Sequence, residues 1–295
     1  MNNKNILSFK NISKKFGSLI ALNKISFEVP ENSIYGILGA NGSGKSTLMR
    51  ILAGLINSWE GEIEFKDKHV ACHSNSIISK FGFLIESPTF YEFLSAKQNL
   101  EIFSRISNVD SSQIDSAFNT VNLSNRSQDL VKTYSYGMKQ RLGLAQALLH
   151  DPQVLILDEP NNGLDPKGIQ DMSKLIRQLQ KKGKTIFIST HILNEVEDIC
   201  THFTVLNKGN NIPTQDLAKI TSNHNFFTIE VENTKDALIK LKNKSSITIN
   251  KHTPNKITFH SETPINLNNI SDILGKDASI KQFYKESNLI NYFDV

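Results

Sequence analysis

The sequence predicts an α/β protein built on a parallel sheet, with a helical insertion and a smaller α+β module towards its end. Three observations predict it. Compact apolar runs recur, "NSIYGILG", "QVLILDEP" and "KTIFIST", each short and continuous, as in strands buried on both faces. Amphipathic helical stretches alternate with them, the pattern of strands joined by helical crossovers. A glycine-rich loop stands directly between the first such strand and a helix.

Taken in order, "ILSFKNISKKF" and "LNKISFEV" are rich in β-branched and aromatic residues and read as two strands around a turn. "NSIYGILG" is a buried strand that stops at glycine. "KSTLMRILAGL" carries helical spacing through Leu48, Ile51, Leu52 and Leu55. Helical patterning then dominates, so a helical subdomain is expected over about 87–150. "QVLILDEP" returns to a buried strand, "PKGIQDMSKLIRQLQKKG" is an amphipathic helix ended by Gly183, and "KTIFIST" is the next buried strand. "ILNEVEDIC" and "HFTVLNKG" add one more helix and strand. The character changes near "NNIPTQD", which places a boundary between a domain at 1–215 and a module at 216–295. The module is expected to contain strand 225–232, helix 234–243, strands 246–251 and 256–260, helix 266–275 and strand 279–285, a βαββαβ order of the ferredoxin-like kind.

Composition excludes several classes. The chain has 295 residues, 39% hydrophobic and 21% charged, which suits a packed core. A net charge of +4, with 10 Lys and 9 acidic residues from Asp216 onward, does not describe a nucleic-acid binder. Two cysteines, Cys72 and Cys200, make no disulfide scaffold and suit a reducing cytosol. "HVACH" groups His69, Cys72 and His73, but no second ligand pair follows at metal-site spacing. "MNNKNILSF" lacks a signal-peptide core, and no apolar run reaches the ~20 residues of a membrane span. Work at a membrane would need other chains to supply the span.

"GANGSGKST" fits G-x-x-x-x-G-K-[ST]. It comprises Gly39, Ala40, Asn41, Gly42, Ser43, Gly44, Lys45, Ser46 and Thr47. The glycines let backbone N–H groups turn inward around phosphate oxygens, and the helix that follows adds its positive N-terminal end. Lys45 can reach the β and γ phosphates and Ser46 can hold Mg²⁺. "VLILDEP" delivers Asp158 and Glu159 to the C-terminal end of a buried strand, where open α/β sheets bind ligands. A lone Asp-Glu pair at a strand end is ordinarily just solvated, but beside the glycine loop Asp158 can hold Mg²⁺, directly or through water, and Glu159 is placed to polarise an attacking water as general base. His191 follows "KTIFIST": it is either a structural residue or a donor to the γ-phosphate or the attacking water. Ser135 and Gly137, in "YSYGMKQRLGLAQALL", precede an amphipathic helix. They are either an ordinary N-cap or a second anion site, which a head-to-tail dimer would place over its partner's ATP.

These residues resemble the ATP-binding subunits of ABC transporters. "GANGSGKST" looks like Walker A, "VLILDEP" like Walker B, "YSYGMKQ" like the signature loop and "NGLDP" (Gly163, Leu164, Asp165) like the D-loop. His191 looks like the switch histidine, and Phe16 in "KKFGSLIAL" matches the aromatic that stacks on adenine. The motifs stand in the family's order over roughly 1–215. The resemblance implies a P-loop NTPase core of the ABC ATPase type and an ATPase that uses ATP and Mg²⁺. It also implies a head-to-tail homodimer, integral-membrane permease subunits as partners, no nucleic acid, and a peripheral place on the cytoplasmic face of the membrane.

"FLIESPTFY" carries Glu86 where most such subunits carry Gln. That feature, "SYGMKQRLG" and a C-terminal module resemble a narrower branch, the lantibiotic-immunity and bacitracin-resistance exporters. Glu86 is then a coupling residue close to Mg²⁺ and nucleotide, and the cargo an amphiphilic peptide such as a lantibiotic. Tyr134, Tyr136 and Met138 depart from the commonest signature loop, and Asn161 replaces the usual Thr after "DEP". The rival readings are a non-transport ABC ATPase acting on ribosomes or DNA, and an ABC subunit for another cargo. The first is disfavoured by the single cassette, the lack of sustained heptads and the near-neutral tail.

Overall fold

The computed structural model describes residues 4–70, 79–217, 226–263, 265–275 and 278–285. Cys72 and His73 lie outside them. The chain divides into two compact units, Met1–Gln215 and Asp216–Val295. The strands up to the boundary are β1 (Asn5–Phe16), β2 (Leu19–Pro30), β3 (Ile34–Leu38), β4 (Glu60–Phe65), β5 (Lys68–His69), β6 (Phe81–Leu84), β7 (Val154–Asp158), β8 (Thr185–Thr190), β9 (His202–Asn207), β10 (Asn210–Asn211) and β11 (Gln215–Asp216). The helices are α1 (Lys45–Leu52), α2 (Ala96–Ile106), α3 (Ser112–Thr120), α4 (Tyr136–Leu148), α5 (Pro166–Lys181) and α6 (Leu193–Ile199).

Two sheets build the first unit. One is antiparallel in the order β2-β1-β4-β5; the other runs β10-β9-β3-β8-β7-β6, with β9, β3, β8, β7 and β6 parallel to one another. Every residue of β3, β7 and β8 is buried, which is why these strands read as unbroken apolar runs. An aromatic cluster joins the sheets. Phe9 stacks on Phe27 with ring centroids 4.4 Å apart, and Phe187 of β8 lies 5.7 Å from both Phe9 and Tyr35.

The helices start where side chains satisfy free backbone N–H groups. Asp165 accepts from Gly168 N at 2.9 Å ahead of α5, and Pro166 takes the first helical position. Met172, Leu175, Ile176 and Leu179 form the buried face of that helix. Ser95 and Gln98 make a reciprocal capping box at α2. Within α2, the buried Asn99 amide clamps one residue of the preceding turn. Its Oδ1 accepts from Tyr91 N at 2.9 Å and its Nδ2 donates to Tyr91 O at 3.0 Å. The turn it holds presents Tyr91 and Phe93 to solvent, Phe93 at 71% exposure. Cys200 is buried, and desolvation, aided by the charge of Glu195, raises its thiol pKa, so it packs rather than reacts.

The second unit has its own core. Strands β12 (Phe226–Val231), β13 (Ile247–His252), β14 (Lys256–Ser261) and β15 (Ile280–Lys285) form an antiparallel sheet in the order β13-β14-β12-β15. Helices α7 (Thr234–Lys242) and α8 (Leu267–Leu274) close it, with Leu241, Ile270 and Leu274 packed over Phe227, Ile229, Ile257 and Phe259. Among the described residues no helix is long and apolar enough to cross a membrane.

Phe187 is fully buried where the two sheets meet, so its loss leaves a cavity that the rigid strands cannot fill. Phe187→Ala is expected to lower unfolding free energy by about 3–5 kcal/mol, and Phe187→Leu by less, as read from urea midpoints.

Candidate functional site

The strand order gathers the site. β8 lies between β3 and β7, and β6 flanks β7. In register, Leu38 faces Thr190, Asp158 faces Ser189 and Leu84 faces Leu157. The glycine loop after β3, His191 after β8, Glu159 after β7 and Glu86 after β6 therefore leave the sheet at one edge, the C-terminal ends of parallel strands.

The loop after β3 is folded tightly. A Cβ on Gly39 would lie 2.4 Å from the Leu206 carbonyl oxygen and 2.5 Å from Ser43 Oγ, so only glycine fits. Lys45 opens α1 with 4% of its surface exposed. Its ammonium donates to the carbonyls of Gly39 at 2.7 Å and Ala40 at 3.2 Å, and lies 3.7 Å from Glu159 Oε1. Burial pushes the Lys45 pKa below the usual lysine range, and the carboxylates of Glu159 and Asp158 pull it back up. Ser43 Oγ is buried with no hydrogen-bond partner, an orphan that an incoming oxygen would satisfy.

One hydroxyl organises the two carboxylates. Ser189 Oγ donates to Asp158 Oδ1 and accepts from the backbone N–H of Glu159 at 2.9 Å. Glu159 has a left-handed backbone, φ 45°, the bend by which the chain leaves β7. Its Oε1 lies 3.2 Å from His191 Nδ1 as well as close to Lys45. Thr190 secures the turn that follows β8, donating to Glu195 and accepting from Ile192 N at 3.1 Å.

Of these groups Lys45 and Glu159 line a 400 Å³ pocket, with Phe16, Leu19, Ile20, Ala21, Asn41, Gly42, Gly44, Ser46 and Thr47, whereas Gly39, Ala40, Ser43, Asp158 and His191 are not among its lining residues. One wall is the apolar end of the β1–β2 hairpin, with the Lys14 ammonium 4.7 Å from the Phe16 ring centre. The other is the glycine loop and the carboxylate. An apolar wall for a base and a cradle for phosphates suit a nucleoside triphosphate. The oxygen donors nearby, Ser46 and Asp158, suit Mg²⁺, which keeps several waters and takes substrate phosphates as ligands. Among the described residues no group of three or more His, Cys, Asp or Glu is placed to hold a metal ion.

Not every anticipated residue reaches this pocket. Glu86 is not in its lining; it has a left-handed backbone, φ 64°, and pairs with Arg50 of α1, its side chain 60% exposed. Ser135 and Gly137 line a separate 440 Å³ cavity with Gly163, Leu164, Asp165, Arg141 and Lys167. Ser135 also caps α4, accepting from Met138 N at 3.3 Å. Asn161 is buried with its Oδ1 unpartnered. Sequence reading passed over Ser189, Arg50 and Lys14. Ser189 left one signal, its place two residues before His191; Arg50 and Lys14 left none.

The ABC transporter family pattern matches residues 22–162. The bacitracin transport ATP-binding protein BcrA of Bacillus licheniformis is 41% identical over 206 residues, 69% of this chain and 67% of that protein. The lantibiotic transport ATP-binding protein SrtF of Streptococcus pyogenes is 40% identical over 204 residues, 69% of this chain and 88% of that protein. Among solved structures, cbiO1 of Clostridium perfringens, part of the ABC transporter complex cbiONQ, superposes with a TM-score of 0.68 at 26% identity, covering 74% of this chain and 91% of that one. With the glycine loop, the paired carboxylates and the parallel sheet that joins them, the chain belongs to the ATP-binding subunits of ABC transporters and is an ATPase.

Proposed function

We propose that this ATPase drives an exporter that expels an antimicrobial peptide, a lantibiotic or a bacitracin-like compound, from the membrane of the cell that carries it. The geometry that supports hydrolysis is Glu159 held between Lys45 and His191 at the mouth of the phosphate loop. The cargo rests on the likeness to the bacitracin and lantibiotic transport proteins.

In this reading Phe16 stacks on adenine, and the backbone of Gly39 to Thr47 cradles the phosphates. The Lys45 ammonium, costly to bury alone, exchanges part of its carbonyl coordination for β and γ phosphate oxygens. Glu159 takes a proton from the attacking water as that water closes on the γ-phosphorus and the bond from that phosphorus to the β–γ bridging oxygen breaks, leaving ADP and inorganic phosphate. His191 donates to the γ-phosphate or steadies Glu159. Ser46 and Asp158 would hold Mg²⁺, which would supply neutralisation of phosphate charge. Ser135 and Gly137 reach the nucleotide of a second copy in a head-to-tail dimer, for which their cavity leaves room. Glu86 links the state of the 86–88 turn to α1 through Arg50, and as the coupling residue would act close to Mg²⁺ only if nucleotide binding drew it away from that pair. Permease subunits supply the membrane span and dock near the exposed Tyr91 and Phe93, which keeps this chain peripheral on the cytoplasmic face.

ATP with Mg²⁺ at 100 times its Kd is expected to stabilise the protein by about 2.7 kcal/mol, read as a rise in melting temperature, and Lys45→Ala to abolish the rise. Glu159→Gln should retain the ATP-induced rise while turnover falls by about 10²-fold or more, measured as phosphate release. Co-expressed with its candidate membrane subunits in a sensitive bacterium, the chain should raise survival against bacitracin or a lantibiotic, and Glu159→Gln should not. An assembled, ATP-hydrolysing complex that protects against neither withdraws the cargo.

A further inference from the structure

Tyr136 touches three elements of the first unit. It is the first residue of α4, where Ser135 already supplies the cap, so its ring is not needed to start the helix. The ring lies on the bare face of Gly163: a Cβ there would be 3.0 Å from Tyr136 Cε1 and 3.4 Å from Cζ. Gly163 also has φ 75°, a conformation that favours glycine, and the ring leaves little room for a Cβ. The Tyr136 hydroxyl accepts from Gln140 Nε2 at 2.9 Å, one helical turn on. Gln140 is buried and its Oε1 has no partner, so this contact anchors its amide. With one lone pair so used, the phenol O–H is free to donate to Ser87 Oγ, 3.4 Å away.

The Ser87 and Gly163 contacts lead on to the catalytic machinery. Ser87 follows Glu86, which is paired with Arg50 on the helix that begins at Lys45. On the other side, Asn162 N donates to Glu159 O at 3.0 Å and Leu164 N to Asn161 O at 3.2 Å. Two successive backbone turns therefore join Gly163 to Glu159. A 42% exposed tyrosine at the mouth of the Ser135–Gly137 cavity is thus turned onto its own subunit by ring and hydroxyl together.

We propose that Tyr136 is a positioning residue that ties the Ser87 turn to the Gly163 turn, so that movement of residues 86–88 resets the loop behind Glu159. At 3.4 Å the Tyr136–Ser87 contact is longer than an ordinary O–H···O bond, and in this proposal movement of residues 86–88 shortens or lengthens it. The role rests on the hydrolytic reading above.

The test is a double-mutant cycle in the full chain, reading steady-state ATP hydrolysis and melting temperature. Tyr136→Phe keeps the ring on Gly163 and removes the hydroxyl; Ser87→Ala leaves the Gln140 bond in place. Each is expected to lower kcat by about 3- to 10-fold with KM for ATP within about twofold, and the double variant to be no slower than the slower single. Ser87→Ala should melt with the wild type, which separates positioning from a folding defect. A Ser87→Ala chain with wild-type kcat, or losses that multiply in the double variant, overturns the link. Wild-type protein that hydrolyses no ATP overturns the hydrolytic reading and the link together, whereas active wild type with unaffected variants overturns the link alone.

Discussion

A lysine ammonium buried beside a carboxylate is the interaction on which the rest of this site depends. An isolated charge in such surroundings is expensive, and Lys45 is tolerable only because two loop carbonyls and Glu159 face it. Those carbonyls point inward only if the chain turns back on itself directly after β3, and that turn brings Gly39 within a Cβ's width of β9. Glu159 arrives only if β7 lies one strand away from β3, with β8 between. The glycines, the strand order and the bend at Glu159 are separate features of one electrostatic requirement.

The intervening strand does more than space the two. Ser189 holds Asp158 by its side chain and Glu159 by its backbone, so the two carboxylates cannot move independently. His191, two residues on, meets the same Glu159 oxygen that faces Lys45. Two of the buried polar atoms left without partners, at Ser43 and Asn161, stand on this loop system. Packing optimised only for stability would have removed them.

Much of this was legible in the sequence because it is local. β3, β7 and β8 are buried on both faces and read as continuous apolar runs; the glycine loop and the Asp-Glu pair carry their chemistry within a few residues. What stayed hidden depends on register between distant segments. Nothing near Ser189 announces that it lies opposite Asp158, 31 residues away. Arg50 looks like one more solvated residue on α1 until β6 delivers Glu86 to it. Tyr136 reads as a bulky departure in a loop that usually carries glycine; only the fold reveals that Gly163 supplies the missing space. β4 and β5 were also passed over, since their short, charged segments pair at the edge of the antiparallel sheet and lack a buried strand's pattern.

The Asn99 clamp separates two kinds of change. It grips the main chain of Tyr91 and Ser95, not any side chain of the turn, so the path of that turn does not depend on which residues it displays. Tyr91 and Phe93 are consequently free to vary while the scaffold beneath them, and the chemistry beyond it, stays the same. Substitutions at the exposed rings of Tyr91 and Phe93 can thus change what this surface displays without changing the path of the chain beneath it.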